Sequence, residues 1–192
     1  MTYHLAVDIG ASSGRHILGH AENGRIVLEG VYRFDNAQVR RNGHDCWDTD
    51  ALFTHILEGL RACREAGKIP ATMGIDTWAV DFVLLDKNGR AVGDAVAYRD
   101  ARTEGVRDRL ETDGTLRFAD HYARAGIQYQ PFNTAYQLAA LKREHPEQLE
   151  AAAHLLMMPE YLNYLLTGRM VNEYTNATST ALVNARTKTW DD

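Results

Sequence analysis

The residues best placed to do chemistry stand near the amino terminus, where Ala6-Val7-Asp8-Ile9 runs into Gly10-Ala11-Ser12-Ser13-Gly14-Arg15. An apolar stretch ends beside a carboxylate, and small residues with two hydroxyls follow. Side chains this small let successive backbone N–H groups converge on an anion, with Gly10 and Gly14 expected to supply the unusual φ values of the bend. Ser12 and Ser13 add hydroxyl donors, and Asp8 is a hard oxygen ligand suited to a hydrated divalent cation. A carboxylate closing an apolar strand costs free energy unless a cation or hydrogen-bond donors meet it. The stretch therefore reads as a phosphate loop, Gly10 to Arg15, with Asp8 as its magnesium carboxylate. It is not a Walker A loop, because no Gly-Lys-Ser/Thr follows and Ile17-Leu18 opens a second extended run rather than a helix. Taken alone, the same residues also make an ordinary tight hairpin turn, since Gly and Ser are common turn formers.

Composition narrows the setting. The chain has 192 residues, 45% hydrophobic and 24% charged, which is the makeup of one globular domain with a real core. A net charge of −5, with no basic cluster beyond Arg40-Arg41, argues against nucleic acid as a partner. Met1-Thr2-Tyr3-His4-Leu5 shows no secretory pattern and no apolar run approaches a membrane span, so the expectation is a cytoplasmic protein without a membrane partner. In that compartment Cys46 and Cys63 stay thiols. The eight histidines show no metal-binding spacing.

The elements that must position the loop follow from periodicity. Residues 3–9 and 15–21 read as strands joined by the glycine turn, and Asn23-Gly24 leads into a third, Arg25 to Phe34. Residues 35–46 read as loop. Asp48-Thr49-Asp50 caps a helix over about 49–66 that stops at Gly67. A strand is expected over Pro70 to Thr77, then an apolar run to Leu85, a turn at 86–89 and a returning strand, Val92 to Tyr98. A helix is predicted over about 103–123, another from Asn133 to about Glu144, and a strand at His154–Met158. Pro159 starts the next helix, which stops at Gly168. Residues 172–176 read as loop and 177–183 as a short helix. Three antiparallel strands followed by two crossover units, βββαβαβα, give an α/β mixed sheet with helices on both faces. An aspartate and phosphate turn on its first hairpin match the actin-like (ribonuclease H-like) ATPase architecture.

Several stretches together resemble the FGGY carbohydrate kinases. Val7 to Arg15 is similar to their first phosphate motif, and Gly74-Ile75-Asp76-Thr77-Trp78-Ala79-Val80-Asp81-Phe82 resembles their sugar-contacting strand and turn. Tyr98 to Thr103, Gln130 to Thr134, Leu156 to Tyr161, Glu173 to Thr180 and Thr187 to Asp191 follow at the family's spacing, so the likeness covers the whole chain. The Ala-Ser-Ser-Gly-Arg turn and the Asp-Thr-Trp-x-Val-Asp-Phe stretch point to the branch that acts on L-rhamnulose. Ala79 departs from the glycine usual in that branch, and a methyl there narrows the pocket.

The resemblance implies ATP-dependent phosphorylation of a ketose at its O1 hydroxyl, with ATP and Mg²⁺ as cofactors. Gly10, Ala11, Ser12, Ser13, Gly14 and Arg15 would bind the β- and γ-phosphates and Asp8 the magnesium. Asp76, Trp78, Ala79, Asp81, Tyr98, Arg99 and Phe132 would form the ketose pocket. The general-base aspartate of the family is expected beyond residue 192, in which case the chain holds no catalytic base and is inactive alone. The remaining readings are another ketose kinase, for L-fuculose or a pentulose, and a non-catalytic sugar- or nucleotide-binding module.

Overall fold

The computed structural model describes residues 1–191. Strand β1 (Tyr3–Ile9) buries Leu5, Val7 and Ile9 and turns His4, Ala6 and Asp8 to its other face. That period of two is what a sheet with one covered face requires. Strand β2 (Ser13–Glu22) pairs antiparallel with β1, setting Arg15 opposite Asp8 and Gly14 opposite Ile9. Strand β3 (Arg25–Asp35) follows through Asn23 and Gly24, both at positive φ.

The expected loop over 35–46 is instead a second hairpin, β4 (Gln38–Arg41) and β5 (His44–Trp47). It turns on Asn42 and Gly43, at φ 48° and 87°. The turn signal is the same as at 23–24, but four-residue strands built from Arg40, Arg41, His44 and Asp45 carry no apolar alternation to announce them.

Helix α1 (Thr49–Glu65) starts where Asp48 accepts the Ala51 N–H at 3.1 Å. It ends in a Schellman motif, Lys68 N donating to Cys63 O and Gly67 N to Arg64 O, both 3.0 Å. Strand β6 (Pro70–Asp76) then runs parallel to β1, and Asp76 falls opposite Asp8. The sheet order is β3-β2-β1-β6, a mixed sheet that takes the first of the two expected crossover units.

The second crossover goes elsewhere. After β7 (Phe82–Leu85) and the short β8 (Ala91–Val92), residues 94–98 are irregular and lie along β5, with Trp47 N on Ala95 O at 2.8 Å and Ala97 N on Asp45 O at 2.7 Å. The helix expected over 103–123 is divided into α2 (Val106–Thr112) and α3 (Phe118–Ala125), because Gly114 takes φ 77° between them. Helices α4 (Thr134–Glu144) and α5 (Pro146–Ala151) lead to β9 (His154–Met157), and α6 (Met158–Thr167) follows at once. Strand β7 is buried at all four positions and takes β8 and β9 as antiparallel partners, so β9 builds a separate three-stranded sheet. Residues 174–177 form α7 (Tyr174–Ala177), with a 3-10 turn at Thr178–Thr180, where a loop and a longer helix were expected.

One apolar core joins Leu5, Val7, Ile9 and Leu18 of the first sheet to Leu52 and Ile56 of α1, Leu85 of β7 and Leu162 of α6. Among the described residues only this face of the four-stranded sheet is covered. The opposite face leaves Ile26 and Leu28 79% and 67% exposed, in place of the helices expected on both faces.

Candidate functional site

Residues 10–13 form a tight turn closed by Gly10 N donating to Ser13 O at 2.8 Å. Asn36 braces it from the end of β3, its Nδ2 on Gly10 O at 2.8 Å and its backbone N on Ser12 O at 3.0 Å. Gly10 and Ser12 are exposed, so the turn faces solvent. Neither Gly10 nor Gly14 takes a positive φ, which corrects the expectation that the bend needs one. Gly14 is required by contact instead, since a Cβ there would lie 2.1 Å from Cζ of the buried Phe34.

Asp8 emerges at the end of β1 with its side chain 39% exposed. Its Oδ2 accepts from Nε and Nη2 of Arg15, each at 2.7 Å. Arg15 is thus tied to Asp8 across the hairpin. Asp8 and Asp76 sit side by side in parallel register on the open face. Among the described residues no three His, Cys, Asp or Glu side chains converge, so a cation here would rest on one or both of these carboxylates and on a ligand's own oxygens. That donor set fits Mg²⁺, which keeps several waters and uses few protein ligands.

Beyond the end of β6, Asp76, Thr77 and Ala79 line a cleft of about 590 Å³, completed by Glu160, Asn163 and Asn176 among others. Ala79 is exposed there, so its methyl does form part of the wall. Glu160 is buried beneath it, accepting from Asn176 Nδ2 at 3.1 Å and Glu173 N at 3.2 Å, and burial pushes its carboxyl up from the ordinary range.

Trp78, Tyr98, Arg99 and Phe132 converge in an aromatic cluster. Trp78 packs on Trp47 with centroids 4.0 Å apart, Tyr98 lies 6.5 Å from Trp47, and Phe132 meets Tyr98 edge-on at 5.5 Å. The Arg99 guanidinium stands over Tyr98 at 5.3 Å. Asp81 lies underneath with no exposed surface. Its Oδ2 accepts from Trp47 Nε1 at 2.6 Å, Trp78 Nε1 at 2.9 Å and Tyr98 N at 3.1 Å, and its Oδ1 from Gln137 Nε2 at 3.0 Å. Burial outweighs these donors and raises its pKa to about 6. Asp81, expected among the sugar residues, anchors both indoles. Next to it, Val80 holds φ 68°, a strained conformation for a β-branched residue. The Val80 carbonyl is fixed by Thr134 Oγ1 at 2.6 Å and Gln137 Nε2 at 3.2 Å.

The sequence-predicted residues therefore gather in three adjoining groups: the loop with Asp8, the cleft with Asp76 and Ala79, and the aromatic cluster over Asp81. Asn36, Trp47, Gln137 and Glu160 were not singled out. Glu160 carries a weak signal, following Pro159 at a helix start, but an acid there also reads as a partner for the helix dipole.

Comparison with known proteins decides the family. Residues 3–192 match the description "FGGY family of carbohydrate kinases, N-terminal domain". The chain belongs to this family. It is 55% identical over 192 residues to a rhamnulokinase from Halalkalibacterium halodurans, covering all of this chain and 40% of that protein. A rhamnulokinase from Oceanobacillus iheyensis is 54% identical over 187 residues, 97% of this chain and 39% of the other. The chain thus spans about two-fifths of the length of these curated relatives. Among solved structures, a ligand-bound xylulose kinase from Lactobacillus acidophilus superposes with a TM-score of 0.86 at 20% identity, over all of this chain and 39% of that one. A gluconate kinase from the same organism gives 0.85 at 20% identity, over 99% and 38%. The fold is that of the FGGY sugar kinases, the actin-like architecture the motif order implied. Among the described residues no helix is long and apolar enough to cross a membrane.

Proposed function

We propose that this FGGY chain is the N-terminal, sugar-binding domain of a kinase that transfers the γ-phosphoryl group of ATP to the O1 hydroxyl of L-rhamnulose. The observation that carries the reading is Asp8 beside Asp76 in register, between an open turn of small residues and a polar cleft. Phosphoryl transfer asks the protein for alignment and charge stabilisation more than for covalent chemistry. In this reading the backbone and hydroxyls of residues 10–15 receive the nucleotide's phosphates, and Asp8, with Asp76 next to it, holds hydrated Mg²⁺. Bound there, the ion neutralises charge on the phosphate oxygens. Arg15, paired with Asp8 across the hairpin, would offer its planar guanidinium to a phosphate oxygen if Asp8 were engaged by the ion instead.

Asp76, Thr77 and Ala79 orient the sugar, and the Trp78, Tyr98 and Phe132 rings give an apolar wall for a deoxy-sugar methyl. Arg99 supplies donors at its rim. The rhamnulokinase relatives at 54–55% identity support this ketose over L-fuculose or a pentulose. Proton acceptance from O1 is assigned to an aspartate beyond residue 192, so the 192-residue chain alone is inactive.

The test measures ADP release by the full-length protein with L-rhamnulose, L-fuculose and D-xylulose. The expected result is a kcat/KM for L-rhamnulose at least tenfold above the others, about 1.4 kcal/mol of discrimination, and no turnover by residues 1–192. Preference for another ketose overturns the substrate assignment. Absence of turnover with every ketose overturns the kinase reading in favour of a binding module, and turnover by residues 1–192 overturns the placement of the base.

A further inference from the structure

Resting on that reading, the candidate sugar residues present a problem of alignment. They sit on three chain segments, around Trp78–Ala79, around Tyr98–Arg99 and at Phe132, and the sheet ladders do not join these segments to one another. Asp81 links the first to the second and Thr134 the first to the third, and Gln137 on α4, which has no exposed surface, ties these links to one another. Its Nε2 lies 3.0 Å from Asp81 Oδ1, 3.2 Å from the Val80 carbonyl and 2.9 Å from the Phe132 carbonyl. Its Oε1 accepts from Arg102 Nη2 at 2.7 Å. One amide thus grips the first and third segments directly. It reaches the second through Arg102 and through Asp81, which receives the Tyr98 N–H.

The orientation of this amide is dictated by its neighbours. Flipping it would aim the NH₂ at a guanidinium and the oxygen at a carboxylate, so the neighbours fix one assignment, in which three acceptors share the two amide hydrogens. Arg102 is itself fixed at its backbone, its N–H donating to Asp100 Oδ1 at 2.9 Å, while Asp100 Oδ2 takes the Asp45 N–H at 2.9 Å. No other side chain of this length would serve. Glutamate would set a second carboxylate against buried Asp81, and two such charges do not both ionise. Methionine would leave Asp81 Oδ1 and the Phe132 carbonyl unpaired.

We propose that Gln137 is a positioning residue for the sugar pocket, holding the Val80 turn, Phe132 and, through Asp81, the Trp78 indole in the one arrangement that receives the ketose. The phosphate loop is braced separately by Asn36, so loosening Gln137 affects the sugar and spares the nucleotide.

The experiment uses the full-length protein with Gln137→Met and Gln137→Glu, measuring KM for L-rhamnulose and for ATP, with melting temperature as the control for folding. For Gln137→Met the expected result is a rise in sugar KM of about tenfold or more, with ATP KM within about twofold. For Gln137→Glu the new carboxyl shares a proton with Asp81 at pH 6.5 and, with one donor in place of two, restores only part of the network, giving a sugar KM between those of the wild type and Gln137→Met. That KM then climbs toward pH 8.5 as the proton leaves, whereas the wild-type value stays level. A role confined to stability would lower the melting temperature while leaving both KM values unchanged, or would move both together without the pH dependence; either outcome overturns the proposal. Should Gln137→Met not fold, the pH dependence of Gln137→Glu decides alone. A wild-type protein inactive on every ketose overturns the kinase reading and this inference with it, whereas an active wild type with indifferent variants overturns this inference only.

Discussion

Gly14 and Gly10 bracket the same turn for different physical reasons. A methyl on Gly14 would meet Cζ of Phe34 at 2.1 Å, and that ring is pinned by stacking on His55 with centroids 4.2 Å apart. A methyl on Gly10 would first meet Ser13 O at 3.4 Å, an ordinary contact. Chemical denaturation of Gly14→Ala is therefore expected to show a loss of about 1–3 kcal/mol, the usual cost of overpacking. Gly10→Ala is expected to stay within about 0.5 kcal/mol of the wild type while raising KM for ATP in the full-length protein, because the methyl sits where phosphate approaches. Equal losses in both variants would contradict this division. The Asp8–Arg15 pair is exposed and contributes little to stability. Asp8→Asn is accordingly expected to leave the melting curve near that of the wild type and to lower kcat by two orders of magnitude or more; near-normal turnover would remove Asp8 from the metal site. Asp8 was legible because a carboxylate at the end of an apolar strand stands out against its neighbours. Gln137 and Asn36 were not, because a single polar residue looks the same in sequence whether it hydrates a surface or bridges buried segments.

Among the elements, the β2–α1 contact holds the clearest titration. His16 on β2 is wholly enclosed against Gly59 of α1, where a Cβ would lie 2.2 Å from its ring, and it meets Tyr32 edge-on at 5.4 Å. Its ring nitrogens have no well-aligned hydrogen-bond partner among the described residues, and the Ile56 backbone offsets only part of the cost of burial. Burial lowers its pKa from 6.5 to about 4. A histidine with a depressed folded pKa binds more protons unfolded, so the stability it permits is complete above pH 6.5 and is lost as pH falls toward 4. Asp81 acts in the opposite sense. Its pKa rises from 3.8 to about 6, so the folded state binds the extra proton and stability falls as pH rises through that window. Replacing His16 with leucine removes one side of this balance. Going from pH 7 to pH 5, His16→Leu is expected to lose about 2 kcal/mol less stability than the wild type; parallel losses in the two proteins would show that His16 titrates normally. The three opening strands and α1 were legible because their apolar periods are long and their turn and cap residues agree. The 38–47 hairpin, the break at Gly114 and the pairing of β7 with β9 were not. Short polar strands carry no period, one glycine inside a helical pattern is often tolerated, and an apolar run of four residues does not name its partner.

At the scale of the molecule, the four-stranded sheet has one packed face and, among the described residues, one bare one. The bare face presents Ile26 and Leu28 at 79% and 67% exposure, and Leu28 with Ile17, Gly30 and Val31 lines a shallow groove of about 510 Å³ rimmed by Arg15 and Arg33. Strand β3, which carries Ile26 and Leu28, is also an edge strand of eleven residues, so its unpaired backbone groups stand beside the exposed apolar side chains. An apolar patch on a long free edge is the combination that promotes strand-to-strand association, and lysine on such an edge opposes it through charge and solvation. Sedimentation velocity of residues 1–192 is therefore expected to show concentration-dependent self-association. Ile26→Lys with Leu28→Lys is expected to abolish it while leaving the melting temperature within about 3 °C, because both side chains point away from the core and surface changes of this kind shift stability little. A monomeric wild-type chain at high concentration would show that the bare face is inert, and a large fall in melting temperature for the double variant would show that Ile26 and Leu28 pack against part of this chain after all.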